Sequence, residues 1–182
     1  MKIKMKIKYN YLFILAFTLI PLISVAEQFK STGTTDVYFS PNGGATQAIV
    51  SELNHAQNEI LVQAYSFTSK PIAKALVDAR KRGVNIIVVL DKSQANGKYA
   101  AADFVSRAGI PTYIDDKHAI AHNKVMVIDR ATLITGSFNF TKAAEVKNAE
   151  NMLILKGNKE LIDRYIRNFE EHKEHSGEYR GK

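Results

Sequence analysis

The sequence contains no cysteine among its 182 residues. Disulfide bonds, a thiol nucleophile and a thiolate zinc site are therefore excluded. Long linkers, low-complexity tracts and internal repeats are also absent, and the length suits one domain with a single hydrophobic core. The fold must be stabilised by that core.

No acidic residue precedes Glu27, whereas four lysines lie among the first eight residues. An uncharged, mostly apolar run follows at residues 11–23, and small residues occupy positions 24–26. This order is typical of a signal peptide. We predict that residues 1–26 are removed and that residues 27–182 form a periplasmic or secreted domain without stable membrane association. The alternative is an uncleaved anchor, because the uncharged stretch is close to the minimum length for crossing a bilayer.

The predicted cleavage changes the charge of the protein. Removing the four leader lysines lowers the formal net charge from +7 to +3. A small positive excess is compatible with a polyanionic substrate such as nucleic acid, and equally with an ordinary solvated surface.

Hydrophobic periodicity predicts an α/β fold. In the first half, predicted strands at 36–39, 59–67 and 85–91 alternate with predicted helices at 45–57, 70–82 and 98–108. The second half contains predicted strands at 112–115, 121–128, 132–135 and 151–156, and a closing helix at 159–173. We predict a single-domain α/β sandwich with a mixed, largely parallel β-sheet flanked by helices.

Polar side chains recur at alternate positions in the second half. His122 and Lys124 are two residues apart on a predicted strand, so they point to the same side, and Val125 and Val127 point into the core. The same spacing pairs the polar residues 137 and 139 on the following segment. If these segments form a hairpin, an imidazole, an ammonium, a hydroxyl and an amide meet at one end of the sheet. This set predicts a phosphate site that contains a nucleophile.

Each side chain has a chemical role in such a site. A neutral His122 can attack phosphorus, because the pKa of histidine lies near neutrality. Lys124 and Asn139 can donate hydrogen bonds to the non-bridging oxygens, where charge builds up in the transition state. The Ser137 hydroxyl is a further donor to the phosphate.

Two acidic residues are candidates for orienting the imidazole. Asp129 or Glu150 could accept a hydrogen bond from the second ring nitrogen of His122. Asp129 also begins a tight reversal between two predicted strands, so a turn role is the alternative for this residue. Expulsion of the leaving oxygen needs a general acid, and a two-fold dimer would supply a second copy of His122 for that step.

The catalytic candidates follow a fixed spacing, His122-x-Lys124-x4-Asp129-x6-Gly136-Ser137-x-Asn139. This pattern resembles the HKD signature of the phospholipase D superfamily. The chain carries one copy, and its size is similar to that of the small Nuc-type bacterial endonucleases. The resemblance implies the phospholipase D/nuclease fold, a homodimer with one composite site and a covalent phosphohistidine intermediate. It also implies nucleic acid as substrate, no required metal or other cofactor, and a carboxylate beside the histidine at the position of Glu150.

The remaining histidines suggest no metal site. His118 and His122 are four residues apart, but on a strand that spacing corresponds to roughly 13 Å, too far for shared coordination. We interpret His118 as a candidate for lining the substrate groove. His172 and His175 lie in a charged tail, and we expect them to be solvated.

The sequence leaves three functions open. The first is an endonuclease that cleaves DNA, with RNA as a further candidate, and has little sequence preference because recognition rests on phosphate contacts. The second is a phospholipase D-type hydrolase of phospholipid head groups, which an exposed apolar rim around the site would favour; the sequence shows no additional apolar loop. The third is a non-catalytic nucleic-acid-binding module, against which the intact His122 and Lys124 count.

Overall fold

The computed structural model describes residues 26–96 and 101–181, so the predicted signal peptide lies outside the described residues except for Ala26. The strands are β1 (Thr34–Phe39), β2 (Glu59–Ala64), β3 (Asn85–Asp91), β4 (Thr112–Asp115), β5 (Lys124–Ile128), β6 (Thr132–Gly136), β7 (Asn151–Lys156) and β8 (Gly177–Glu178). The α-helices are α1 (Ala45–His55), α2 (Lys70–Lys81), α3 (Ala102–Arg107), α4 (Lys142–Val146) and α5 (Lys159–Glu174). No helix in the described ranges is both long and apolar enough to cross a bilayer.

The eight strands form one mixed sheet in the order β1-β7-β6-β5-β2-β3-β4-β8. The α/β class, the mixed sheet and the flanking helices are confirmed, but the prediction of a largely parallel sheet is wrong. Only the pairs β2–β3 and β3–β4 are parallel, and every other neighbouring pair is antiparallel. A tight reversal at 129–131 makes β5 and β6 antiparallel, and other antiparallel pairs, such as β1–β7 and β2–β5, join strands that are far apart in the sequence.

Both faces of the sheet are covered, so the core has two layers. One layer packs the sheet against α1, α2 and α3 and includes Met126 and Ile128 of β5. The other packs it against α5 and includes Val125 and Val127, as the alternation of β5 predicts. In α5 the inward residues are Ile162, Ile166 and Phe169. Burial of each such side chain contributes about 1.5–3 kcal/mol to folding.

Several element bounds differ from the sequence-based expectation. β2 ends at Ala64 and β5 begins at Lys124, so both strands are three residues shorter than predicted. The start of the helix predicted at 98–108 falls partly on residues 98–100, which lie outside the described residues. The short helix α4 was not predicted; the Thr141 hydroxyl caps it by accepting from the Ala144 backbone N–H at 3.1 Å.

The candidate functional residues lie at one edge of the sheet. The parallel strands β2, β3 and β4 all end there, because Ala64 is in register with Leu90, and Asp91 with Asp115. β5 runs antiparallel and starts at the same edge, with Lys124 opposite Ala64. Ligands of α/β proteins commonly bind where parallel strands end.

Candidate active site

His122 lies on the surface at this edge, two residues before β5 begins. Its ring packs against the ring of Tyr65, with centroids 4.5 Å apart and planes inclined at 53°. Tyr65 directly follows β2, and its backbone N–H donates to the Asn123 carbonyl at 2.8 Å. The segment that carries the imidazole is therefore tied to the central strand while the imidazole itself remains exposed.

Lys124 lies below this surface, with only 6% of the residue exposed. Its Nζ donates to the His122 carbonyl oxygen at 2.7 Å and lies 4.9 Å from the centroid of the Tyr65 ring. Burial lowers the pKa of the Lys124 ammonium, and the carboxylates of Glu150 and Asp91 offset part of that effect. The two residues that we predicted to act together are thus adjacent, one exposed and one buried.

Asp91, at the end of β3, was missed by sequence reasoning. It is 3% exposed, and its carboxylate accepts from the Ala121 backbone N–H at 2.8 Å and from that of Ser93 at 2.9 Å. Burial alone would raise the pKa of Asp91, but the hydrogen bonds from Ser93 and Ala121 outweigh it, and the pKa is lowered. Asp91 therefore holds the peptide that precedes His122. An acidic residue ending a buried parallel strand was the available signal.

Ser137 and Asn139 follow β6, and the predicted β5–β6 hairpin is confirmed, with Val125 in register with Thr135. Gly136 adopts a φ of 149°, and a Cβ there would lie 2.4 Å from the Asn151 carbonyl oxygen, so the close approach to β7 requires glycine. The Ser137 Oγ accepts from the Asn151 backbone N–H at 3.0 Å, which leaves its own proton free to donate. Within the described ranges, Oδ1 of Asn139 is buried and has no hydrogen-bond partner.

Glu150 immediately precedes β7 and lies close enough to Lys124 to act on its pKa. Its Oε1 accepts from Nδ2 of Asn148 at 3.0 Å, and its backbone N–H donates to Oγ of Ser40 at 3.1 Å. The structure thus connects Glu150 to the site by its proximity to Lys124. None of these contacts joins it to His122.

Asp129 is not part of this group, which corrects the expectation that it orients the imidazole. It follows the last residue of β5, five residues beyond Lys124, or roughly 16 Å along a strand. Its carboxylate accepts the backbone N–H groups of Gln57, Asn58 and Glu59 at 2.7–2.9 Å. Burial would raise the pKa of Asp129, but these bonds lower it. The residue therefore joins the β5–β6 turn to the start of β2.

The expectation that His172 and His175 are solvated is wrong. Both rings lie beside Asp115, the fully buried last residue of β4, and His118 approaches the same carboxylate. Burial would raise the pKa of Asp115, but the hydrogen bonds from His172 and His118 and the close approach of the His175 imidazole outweigh it and hold the pKa well below its usual range. His118 is therefore part of the group around Asp115 and not part of the site around His122.

Comparison with known sequences places the chain in a family. The model of the family described as "Cardiolipin synthase, PLD-like domain" matches residues 49–173, well over half of the chain. The chain belongs to the phospholipase D superfamily. A relative within this superfamily, the "Phospholipase D" of Rickettsia felis, is 39% identical over 146 residues, which cover 80% of this chain and 72% of that protein.

Solved structures show the same phospholipase D fold. Nuc from Salmonella typhimurium, a phospholipase D family member, has a TM-score of 0.78 and 37% identity over 81% of this chain and 99% of that one. NucT from Helicobacter pylori shares the fold, with a TM-score of 0.74 and 20% identity over 80% of this chain and 99% of its own. The chain is accordingly a phosphodiesterase-type hydrolase of the phospholipase D superfamily.

Proposed function

We propose that this protein is an exported, metal-independent endonuclease that cleaves DNA, with RNA as a further substrate, at a site shared by two copies of the chain. The observation that carries the proposal is the exposed His122 next to the buried Lys124, whose ammonium donates to the His122 carbonyl oxygen at 2.7 Å. In this arrangement a nucleophile can reach a phosphate whose negative oxygens meet a fixed positive charge.

The proposed reaction has two steps. Neutral His122 attacks phosphorus, a phosphorus–nitrogen bond forms, and the leaving oxygen departs with a proton from the protonated His122 of the partner subunit. The partner's His122, now neutral, then removes a proton from water. That water attacks the phosphohistidine, and the phosphorus–nitrogen bond breaks to release a phosphate monoester.

Three groups support charge development at the phosphate. Lys124 and the amide of Asn139 donate to non-bridging oxygens, and the free proton of the Ser137 hydroxyl is a third donor. Glu150 keeps a negative charge near Lys124, which favours the protonated lysine that phosphate binding requires. No step of this scheme calls for a metal ion.

The surface charge at this edge of the sheet favours nucleic acid over a zwitterionic lipid. Exposed lysines of the described residues lie in the segments that follow β2, β3, β4 and β6, among them Lys70, Lys92, Lys117, Lys142 and Lys147. Their ammonium groups can contact successive phosphates without reading bases. Such contacts predict cleavage with little sequence preference.

The shared site follows from the single histidine of the motif. His122 alone cannot be both nucleophile and general acid for the same leaving group, and a two-fold dimer supplies the second imidazole. Ile120, two residues away, is 57% exposed, and Phe39 at the same edge is 65% exposed. A second copy seated on this face would cover both apolar side chains.

The same apolar side chains favour one second candidate, a hydrolase of phospholipid head groups. The sequence predicts no apolar loop around the site, yet Ile120 and Phe39 are exposed there. The Rickettsia felis relative carries the name Phospholipase D. Under this alternative, the two side chains would contact lipid instead of a second subunit.

The decisive experiment incubates purified protein and an excess of chelator with plasmid DNA, RNA or phosphatidylcholine vesicles. We expect DNA cleavage to survive chelation and to fall by a factor on the order of 10³ or more in His122→Ala. His55→Ala, which removes an exposed histidine of α1, is the matched control and should retain activity. Lipid turnover without DNA cleavage would favour the second candidate, and DNA binding without cleavage would indicate a binding module.

Mixing subunits tests the shared site. After exchange of wild-type and His122→Ala chains in equal amounts, about a quarter of the dimers hold two histidines, so cleavage per wild-type chain should fall to about half. Heterodimers with full activity would contradict the two-histidine mechanism.

A further inference from the structure

We propose that Asp115, His118, His172 and His175 bind one Zn²⁺ ion at a structural site separate from His122 and Lys124. The candidate ligand atoms of these four residues all lie within 4.8 Å of one another. They come from the end of β4, the segment after it, and both sides of the C-terminal end of α5.

The nitrogens already surround one carboxylate oxygen. From Oδ2 of Asp115, Nδ1 of His172 is 2.7 Å away, Nδ1 of His118 is 3.0 Å away and Nε2 of His175 is 3.3 Å away. Zinc–ligand bonds of about 2.0–2.1 Å give a tetrahedron with edges of roughly 3.3 Å. Small side-chain rotations would therefore bring the four atoms to coordination distance around a common centre.

The donor set fits zinc. Imidazole nitrogen and carboxylate oxygen are both ordinary zinc ligands, and a chain without cysteine has no thiolate to offer in their place. Four protein ligands complete a tetrahedron and leave no open position for water or substrate. Closed coordination of this kind is typical of structural zinc sites and not of catalytic ones.

The protein alone does not satisfy this group of side chains. Asp115 is fully buried, and three imidazoles converge on its carboxylate. In the part of the chain that the structure describes, Nε2 of His175 is buried and forms no hydrogen bond of acceptable geometry. Its contact with Oδ2 of Asp115 at 3.3 Å lacks hydrogen-bond geometry, and a buried polar atom without a well-formed hydrogen bond is costly. A cation at the centre would give this nitrogen a ligand bond and the carboxylate a counter-charge.

The position on α5 also favours a cation. His172 lies in the last turn of this 16-residue helix and His175 immediately follows it, where the helix dipole places partial negative charge. The segment that begins at Asp115 leads through His118 to His122 at its other end. A bound ion would therefore tie the end of α5 to the segment that carries the proposed nucleophile.

Metal content and thermal melting of the protein without a histidine tag provide the test. After removal of metals, one equivalent of ZnCl₂ should bind per chain, and the melting temperature should rise by about 5 °C or more. CoCl₂ should give the visible absorption bands of tetrahedral cobalt. The double variant His172→Gln/His175→Gln should lose stoichiometric binding, whereas His55→Gln, the matched control on α1, should bind as the wild type does.

A single variant keeps the zinc site testable if the double variant fails to fold. The His118 side chain is 47% exposed, so His118→Gln should fold, and we expect its zinc affinity to fall at least tenfold. A wild-type protein that binds no zinc and shows no shift in melting, or variants that bind zinc as the wild type does, would overturn the assignment. Zinc content and melting are measured without any cleavage assay, so failure of this site and failure of the proposed nuclease activity are distinguishable.

Discussion

Asp129→Asn separates a structural role from a catalytic one at the aspartate of the HKD motif. Asparagine has the same shape and tolerates the observed φ of 51°, so the backbone of the turn is preserved. One amide oxygen can still accept from Asn58 and Glu59, whereas the amide nitrogen would face the Gln57 N–H, which now contacts Oδ2 at 2.9 Å. Loss of one charge-assisted hydrogen bond and of the negative charge should cost about 2–3 kcal/mol.

The loss should depend on pH with a definite sign. The pKa of Asp129 is lowered in the folded protein, so its stabilising effect is present above the pKa of the unfolded chain, about 3.9, and disappears as pH falls through the folded value. Urea denaturation should show the full difference between variant and wild type at pH 7 and little difference at the lowest pH at which both fold. At pH 7 the melting temperature should fall by about 4–10 °C.

Measuring the cleavage activity of Asp129→Asn tests whether the role of Asp129 is structural. Because Asp129 lies at the far end of β5, cleavage at 20 °C should stay within a few-fold of the wild type. Asp36→Asn, on the exposed part of β1, is the control and should change neither stability nor activity. If Asp129→Asn kept its stability and lost cleavage by orders of magnitude, Asp129 would act in the chemistry and the structural assignment would be wrong.

Two further perturbations test individual contacts. In a His122→Ala background, affinity for single-stranded DNA, measured by fluorescence anisotropy, should fall as pH rises through the lowered pKa of Lys124. Lys124→Met should weaken binding about tenfold at pH 7 and remove this pH dependence; an unchanged profile would exclude Lys124 as the phosphate contact. Glu145→Gln should lower the free energy of unfolding by about 1 kcal/mol with no effect on cleavage, because its carboxylate accepts the Gly44 and Thr46 N–H groups at the start of α1. An unchanged urea midpoint would show that these two bonds contribute nothing.

Local structure was predictable where the signal is local. The strands β3, β4 and β7 have the bounds that hydrophobic periodicity predicts, because side-chain alternation and turn residues act over a few positions. Whether two strands pair parallel or antiparallel was not predictable from the sequence. Alternating strands and helices in the first half suggest a parallel sheet, yet β1 pairs antiparallel with β7, more than 100 residues later.

The candidate site was likewise predictable from the sequence only in part. The spacing of His122, Lys124, Ser137 and Asn139 predicts that these residues lie at one end of the β5–β6 hairpin, because a strand and a short hairpin convert sequence distance directly into position, and the pairing of β5 with β6 is confirmed. Only the tertiary structure decided that Asp129 accepts hydrogen bonds from the backbone at the start of β2 and that Asp91 holds the segment before His122. Only it brought His172 to Asp115 across 57 residues. The physical reason is that contacts between distant segments depend on how the whole sheet and α5 pack, which no short stretch of sequence records.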